Sequence, residues 1–261
     1  MTSESKRTFL TAFGLAAGML ALGPATAHAA PQTVTLLLGD ALDAQGRQKP
    51  LKPWRRKLFD YLEQELNIAF EIKSYPWPRA ERNARSGAGL IFGLPKTEER
   101  LRDLHYSDIV GNNTLWLVTR SDATFPFSTL DDLRGKTVGA VRGYTYGEEF
   151  ERRRNTTFRV EDDIPSRSAR LKRLLLKRVD AVLLVQPGWE TAPEIEAELR
   201  TFIAPYIKEM GLPPDVSLSV LPQPVLAESG EHFAIAYGQD HGLIDRINTA
   251  LVRQRRRTAQ R

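Results

Sequence analysis

The sequence predicts a two-lobed α/β protein in which each lobe is a mixed, mostly parallel sheet flanked by helices. Two observations carry this prediction. The order β-α-β-α-β occurs twice along the chain, and such alternation places helices on the faces of a parallel sheet. No low-complexity linker separates the two halves. We therefore expect the chain to cross between the lobes as strands.

The first 29 residues are expected to be a signal peptide rather than part of the fold. Lys6 and Arg7 precede an apolar run over residues 9–22, and residues 27–29 offer an A-x-A cleavage site. The run of 14 residues is shorter than the roughly 20 that a membrane-spanning helix needs. The pattern predicts export to the periplasm and leaves open whether the general or the twin-arginine route is used.

The first half of the remaining chain has the periodicity of alternating strands and helices. Hydrophobic residues at helical spacing over residues 54–66 predict an amphipathic helix. The elements expected here are strand 33–38, helix 54–66, strand 68–72, helix 79–85 and strand 89–94.

The second half repeats this order and ends in a further amphipathic helix over residues 243–256. Ser166 is a plausible N-cap for one of its helices. The expected elements are strand 136–141, helix 145–154, strand 157–160, helix 166–178 and strand 179–185.

Two further β-rich segments, residues 113–122 and 232–240, are interpreted as the crossings between the lobes. This interpretation gives a first lobe of residues 30–115 and 238–261, and a second lobe of residues 116–237.

Composition excludes several classes of function. The chain has no cysteine, so it has no disulfide, thiolate metal site or cysteine-linked lipid. Of the net charge of +5, the leader contributes +1 and the arginine-rich tail after Val252 contributes +5, which leaves −1 for the body. A nearly neutral body argues against nucleic-acid binding, because such domains spread Lys and Arg over a structured face.

Motifs of catalysis and of cofactor binding are absent from the sequence. It has no G-x-S-x-G elbow, no dinucleotide-binding glycine loop and no phosphate-binding loop. The histidines outside the leader, His105, His232 and His241, lack metal-ligand spacing. We therefore expect a protein that is not an enzyme and that needs no metal or cofactor.

An aromatic pair between two prolines marks a candidate binding corner. In "SYPWPRAERNARSG", Pro76 and Pro78 flank Trp77 directly before a basic helix. Strand-to-helix corners of α/β proteins carry binding groups. The alternative is that Trp77 only packs against the core.

Two segments could bind an anion. In "GAVRGYTYGEEF", Thr145 and Glu148 have the spacing of a capping box, so a helix N-terminus with unpaired amides is expected there. In "GLPKTEERLRDLHYSD", Thr97 is expected to cap a short helix that leaves Arg100 available to grip a carboxylate. The ordinary alternative for Arg100 is an ion pair with a neighbouring acid.

An ordered set of segments resembles the bacterial extracellular solute-binding proteins of family 3, the periplasmic receptors of polar amino-acid ABC importers. The set covers nearly the whole chain after the leader, and it consists of "YPWPRA", "KTEER", "YSD", "STLDDLRGKTVGAVRGYTYG", "LLLKRVDAVL" and "FAIAYGQDHGLIDRIN". The resemblance implies two α/β lobes, joined by two crossing strands that act as a hinge, which close on a ligand in the cleft between them.

The resemblance also implies a site. Arg100 occupies the position of the arginine that holds the ligand carboxylate, residues 143–145 match a loop that meets the same group, and Trp77 faces Tyr144 or Tyr146 across the cleft. The residues expected to contact the ligand are Trp77, Phe92, Gly93, Leu94, Thr97, Arg100, Arg142, Gly143, Tyr144, Thr145 and Gln186.

Three departures from the family pattern bear on the ligand. Val185 and Gln186 stand near the place of the acid that holds a ligand ammonium, and an unpaired buried charge is expensive. Gly89 replaces an aspartate of the pattern, and Gly93 and Pro95 replace serines that receive the ammonium in some members. A standard α-amino acid is therefore doubtful.

The leading hypothesis is a monomeric periplasmic protein that captures a small polar carboxylate-bearing solute, an amino acid or related compound, for the membrane permease of an ABC importer. One alternative is a dehydratase-like enzyme on the same scaffold, with Asp40 or Glu148 as candidate proton donor. The other is a sensory or partner-binding module with no role in transport.

Overall fold

The computed structural model describes residues 30–42, 47–162 and 166–259, so the predicted signal peptide lies outside the described residues. In chain order the first elements are β1 (Gln32–Gly39), α1 (Pro53–Leu66), β2 (Ile68–Tyr75), α2 (Trp77–Arg85), β3 (Leu90–Phe92), β4 (Leu104–Tyr106) and β5 (Gly111–Arg120). They are followed by β6 (Thr137–Gly139), α3 (Glu148–Arg153), β7 (Arg159–Glu161), α4 (Arg167–Leu175), β8 (Ala181–Pro187), α5 (Ala192–Glu209), β9 (Leu218–Val220), β10 (Leu226–Glu231), β11 (Phe233–Ala236) and α6 (Leu243–Ala259).

The strands form two sheets, and both sheets are mixed. The first has the order β2-β1-β3-β11-β4, in which β1 is parallel to β2 and β3 whereas β11 is antiparallel to β3 and β4. The second has the order β10-β5-β8-β6-β7, with β9 also paired to β5; only the β6–β7 and β6–β8 pairings are parallel. The predicted architecture of two helix-flanked mixed sheets is confirmed, but parallel pairings do not predominate in either sheet. The reason is that β5 and β11, which follow the passages between the sheets, pair antiparallel with all their neighbours.

Helices cover both faces of the first sheet because its central strand is apolar on both sides. Leu36 and Leu38 of β1 pack with α1 and α6, while Leu37 between them packs with α2 on the opposite face. Alternation of side chains along a strand produces this division. The second sheet has the same arrangement: Phe150 of α3 packs on one face and the apolar residues of α4 and α5 pack on the other.

The chain passes between the sheets at two adjacent antiparallel segments. Val110 N donates to Glu231 O at 2.8 Å, and Ser107 N donates to Phe233 O at 2.9 Å. All of β5 belongs to the second sheet and all of β11 to the first. Sheet membership therefore changes just before the segments interpreted as crossings, and about five residues before each predicted lobe boundary.

Several helix boundaries differ from the prediction for identifiable reasons. α2 begins at Trp77, two residues early, because Pro78 occupies its first turn, where a missing amide costs nothing. α4 begins as predicted after Ser166, whose Oγ accepts a hydrogen bond from Ala169 N at 3.1 Å. The 18-residue α5 was not predicted, although a capping box formed by Thr191 and Glu194 marks its start.

Candidate functional site

A cavity of about 700 Å³ lies between the two sheets and takes its walls from both. The first part of the chain contributes the ends of β1 and β2 and the first turns of α1 and α2. The second part contributes the loop after β6 and the end of β8. The lining residues are Leu38, Gly39, Asp40, Ala41, Leu42, Lys52, Trp54, Arg55, Pro76, Trp77, Pro78, Arg79, Arg82, Phe92, Gly93, Asn113, Val141, Arg142, Tyr144, Asp162, Val185, Pro187 and Glu231.

Trp77 forms one wall of this cavity, and its position depends on a glycine beneath it. A Cβ at Gly39 would lie 2.3 Å from Cε3 of Trp77, so no other residue allows the indole ring to lie this close to the end of β1. From the second lobe, Tyr144 faces Trp77 with 5.9 Å between ring centroids. The structure thus brings the proline-flanked Trp77 and Tyr144 into direct contact in the cavity lining, whereas Tyr146 is buried in the core of the second sheet.

Tyr144 is held in place by polar contacts as well as by packing. Burial raises its pKa to about 12, the negative charge of Glu231 adds to the rise, and a hydrogen bond with the Ser229 side chain opposes it. The phenol is therefore neutral at physiological pH and can donate a hydrogen bond to an acceptor in the cavity.

Backbone contact between the lobes occurs beside this aromatic pair. Gly143 has φ +73°, and a Cβ there would lie 2.6 Å from Cγ of Pro78. Trp54 and Trp189 add a second contact between the lobes, with centroids 5.9 Å apart, and Lys52 and Glu190 form an ion pair at 3.8 Å.

A buried ion pair joins the first turn of α1 to the end of β10. Arg55 Nη2 donates to Glu231 Oε1 at 2.8 Å, and the Glu231 side chain is only 4% exposed. The guanidinium carbon lies 5.2 Å from the Trp54 ring and 5.4 Å from the Phe92 ring, so the aromatic rings fix its position. Arg55 and Glu231 were not predicted as site residues. The sequence gives no signal for them because 176 positions separate the partners.

Arg100 does not line the cavity. Its Nε and Nη2 donate to the two carboxylate oxygens of Glu81 at 3.0 and 2.7 Å, and Nη1 donates to Pro95 O at 3.2 Å. Burial disfavours the charge on Glu81, but the hydrogen bonds and positive charges of Arg100 and Arg85 together outweigh it and hold the pKa of Glu81 below its ordinary value. The alternative of an ion pair with a neighbouring acid describes this arrangement, and binding of a ligand carboxylate by Arg100 would require both bonds to Glu81 to break.

The helix predicted to begin at Thr145 begins later. α3 spans only Glu148–Arg153, and Gly147, with φ +93°, precedes it without a side-chain cap. The predicted capping box of Thr145 and Glu148 is wrong, because the positive φ at Gly147 interrupts the helical turn that would join the two residues. The expected row of bare amides at Thr145 is therefore absent from this described loop.

The other predicted site residues divide between the cavity and its surroundings. Phe92, Gly93 and Arg142 line the cavity. Leu94 is fully buried in the core beside α2. Thr97 Oγ1 accepts a hydrogen bond from Arg100 N at 3.2 Å, and Gln186 Nε2 donates to Glu198 at 3.4 Å.

Charge in the cavity lining is unequal. Five basic side chains line it, namely Lys52, Arg55, Arg79, Arg82 and Arg142, against the three acidic side chains of Asp40, Asp162 and Glu231. Nitrogen donors without acceptors accompany them: Nε1 of Trp54, Nε1 of Trp77 and Nε of Arg55 are buried and have no hydrogen-bond partner among the described residues. An acceptor-rich, negatively charged guest matches this surface.

Neither a metal cluster nor a membrane span is found in the part of the chain that the structure describes. No group of three or more His, Cys, Asp or Glu residues there could hold a metal ion. None of the described helices combines the length and the hydrophobicity that crossing a bilayer requires.

Sequence comparison finds no matching family model and no similar curated protein, whereas structural comparison finds many similar folds. An amino acid ABC transporter substrate-binding protein from Streptococcus pneumoniae, bound to L-arginine, has a TM-score of 0.64 and 14% identity over 87% of this chain and 90% of its own. An ancestral arginine-binding protein bound to arginine has a TM-score of 0.64 and 19% identity over 87% and 94% of the two chains. The GluR0 ligand-binding core from Nostoc punctiforme, in complex with L-glutamate, has a TM-score of 0.61 and 16% identity over 86% and 94%. The chain therefore has the two-lobed α/β fold of the amino-acid ABC transporter substrate-binding proteins.

Proposed function

We propose that this protein binds a small polar solute bearing a carboxylate in the cavity between its lobes and delivers it to the membrane permease of an ABC importer. The observation that carries the proposal is the cavity itself: about 700 Å³, walled by Trp77 and Tyr144 from opposite lobes and lined by more basic than acidic side chains. A volume of this order suits a small metabolite.

The solved structures of the same fold support this function. Those described above hold L-arginine, arginine or L-glutamate, each of which carries a carboxylate. The proposal includes action as a monomer in the periplasm after removal of the N-terminal segment, as the leader pattern predicts.

Mass spectrometry of the purified protein tests the proposal without prior choice of ligand. The native protein should carry a bound small molecule that is released on denaturation and that contains a carboxylate. A protein that retains no molecule and shows no thermal shift with any member of a broad solute library would contradict the proposal.

The predicted role of Arg100 is tested separately by affinity. Loss of binding in Arg100→Ala would support contact with the ligand, but the substitution also breaks a buried ion pair and leaves Glu81 with Arg85 as its remaining partner. The double variant Glu81→Gln/Arg100→Gln removes both charges together. Wild-type affinity in this double variant, measured by isothermal titration, would exclude Arg100 from the site.

An enzyme on the same scaffold is the second candidate, and one observation favours it. Asp40 directly follows β1 in the cavity lining, and partial burial of its otherwise exposed side chain raises its pKa above the ordinary value. A carboxylic acid with a raised pKa is suited to donate a proton. Incubation of the protein with its ligand, followed by mass spectrometry of the solution, would reveal a product if the protein is a catalyst.

A further inference from the structure

The acidic groups of the cavity are mostly engaged by arginines of the protein. Glu231 pairs with Arg55 at 2.8 Å, and Asp162 pairs with Arg154 at 2.9 Å. Asp40 is the third acid of the lining and lies exposed at the end of β1. A ligand ammonium would have to compete with an arginine for Glu231 or Asp162, and a pair with the exposed Asp40 would be weak because solvent screens it.

The second lobe offers no replacement for these engaged acids near the end of β8. Val185 lines the cavity with an aliphatic side chain, and the amide of Gln186 is turned toward Glu198. A buried ammonium without a close counter-ion is energetically costly, and the surplus of basic side chains in the same lining would add repulsion.

Arg55, in contrast, is arranged to receive an acid. Its guanidinium has five N–H donors, and Glu231 accepts the one side-chain hydrogen bond that Arg55 makes among the described residues. The buried Nε does not reach the cavity, so the remaining Nη donors are the ones available to a ligand. Trp54 and Phe92 hold the guanidinium plane, while 31% of the side chain remains exposed in the cavity lining. A guanidinium that is fixed in position and has unused N–H donors can bind both oxygens of a carboxylate.

We infer that Arg55, positioned by Glu231, binds the carboxylate of an organic anion that carries no ammonium group. Arg100 has a structural role in this arrangement, because Glu81 already accepts from two nitrogens of its guanidinium. The inference rests on the proposed function and narrows its ligand from carboxylate-bearing solutes in general to amine-free organic anions.

Matched pairs of ligands that differ only in the amino group test this inference. Isothermal titration of the wild-type protein with glutarate and L-glutamate, and with succinate and L-aspartate, should give at least tenfold tighter binding of one dicarboxylate than of its amino-acid counterpart. Arg55→Gln should weaken that binding at least tenfold. Arg56→Gln is the matched control, because Arg56 lies on the same helix, pairs with Asp60 and is absent from the cavity lining.

The double variant Arg55→Gln/Glu231→Gln guards against loss of folding, since it leaves no unpaired carboxylate behind. This double variant should show a cooperative thermal unfolding transition, as a folded protein does, and the same loss of affinity as Arg55→Gln. Unchanged affinity in this folded double variant would overturn the inference.

Other outcomes separate the inference from the function on which it rests. Tighter binding of the amino acid in both pairs, or a co-purifying ligand that contains an amine, would overturn the inference and leave the proposed function standing. If no panel member binds, a co-purifying amine-free acid would support the inference. Absence of any bound or binding molecule would overturn the inference and the proposed function together.

Discussion

At the scale of single residues, the cavity wall formed by Trp77 depends on the absence of a side chain at Gly39. The ring of Trp77 occupies the space where a Cβ would stand, and the same ring contacts Tyr144 in the cavity lining. The missing Cβ at Gly39 therefore allows the indole ring to lie directly against the end of β1.

Gly39→Ala should weaken ligand binding while leaving the protein folded. The new methyl group would lie 2.3 Å from Cε3 of Trp77, so the ring would have to move into the cavity. We expect at least a fivefold loss of affinity by isothermal titration and a destabilisation of about 1–3 kcal/mol. Gly111→Ala is the control, since nothing lies within 4 Å of a Cβ at that position. Equal affinity of the two variants would show that the position of the ring is not critical.

At this scale, local sequence signals indicate which corner lies at the cavity, but they do not identify the partners of charged residues. The prolines around Trp77 marked a strand-to-helix corner that does line the cavity. Arg100 stood in a recognisable segment, but its partner Glu81 lies 19 positions earlier on another element. Local sequence shows that an arginine is present, whereas the acid that neutralises it depends on tertiary packing.

At the scale of elements, caps and prolines decide where the helices start. Ser166 Oγ satisfies one of the free amides of α4, and Pro78 occupies the first turn of α2. The longest helix, α5, carries Pro193 in its first turn and Pro205 in its interior. These prolines obscure its helical pattern, which explains why the alternating signal of strands and short helices was predictable and α5 was not.

Removal of the α4 cap should lower stability by a measurable amount. Ser166→Ala loses the hydrogen bond from Ala169 N, and loss of an N-cap costs about 1 kcal/mol. Urea unfolding should show this decrease in the free energy of unfolding. Ser166→Asp retains an acceptor at the same place and should unfold close to the wild type, so equal losses in both variants would contradict a capping role.

At the scale of the whole molecule, a buried histidine lies where the chain returns from the second sheet to the first. His232 Nδ1 is 3.0 Å from Ser107 O, and the ring packs edge-on against Tyr106. Burial lowers the pKa of His232, and Lys96 acts in the same direction; hydrogen bonds to the Ser107 and Asp108 backbone and the Asp108 charge oppose the shift. The segment that connects the lobes therefore favours a neutral imidazole.

Stability should depend on pH through this residue. Because the pKa of His232 is lower in the folded than in the unfolded protein, the unfolded chain takes up a proton first as the pH falls below about 6.5. Its contribution is complete above that pH and is lost as the pH falls through the folded pKa. Urea unfolding between pH 7.5 and 5 should show a larger loss for the wild type than for His232→Asn, whose amide can still donate to Ser107 O. Parallel pH profiles would assign the loss to other groups.

The contact between Pro78 and Gly143 has a consequence for the range of domain motion. The two lobes meet there through a proline ring and bare main chain, with φ +73° at the glycine. Any β-carbon at position 143 would clash with the Pro78 ring and keep the two lobes apart at this contact. A substitution at position 143 would therefore limit how closely the two lobes approach each other, without any change in the side chains that line the cavity.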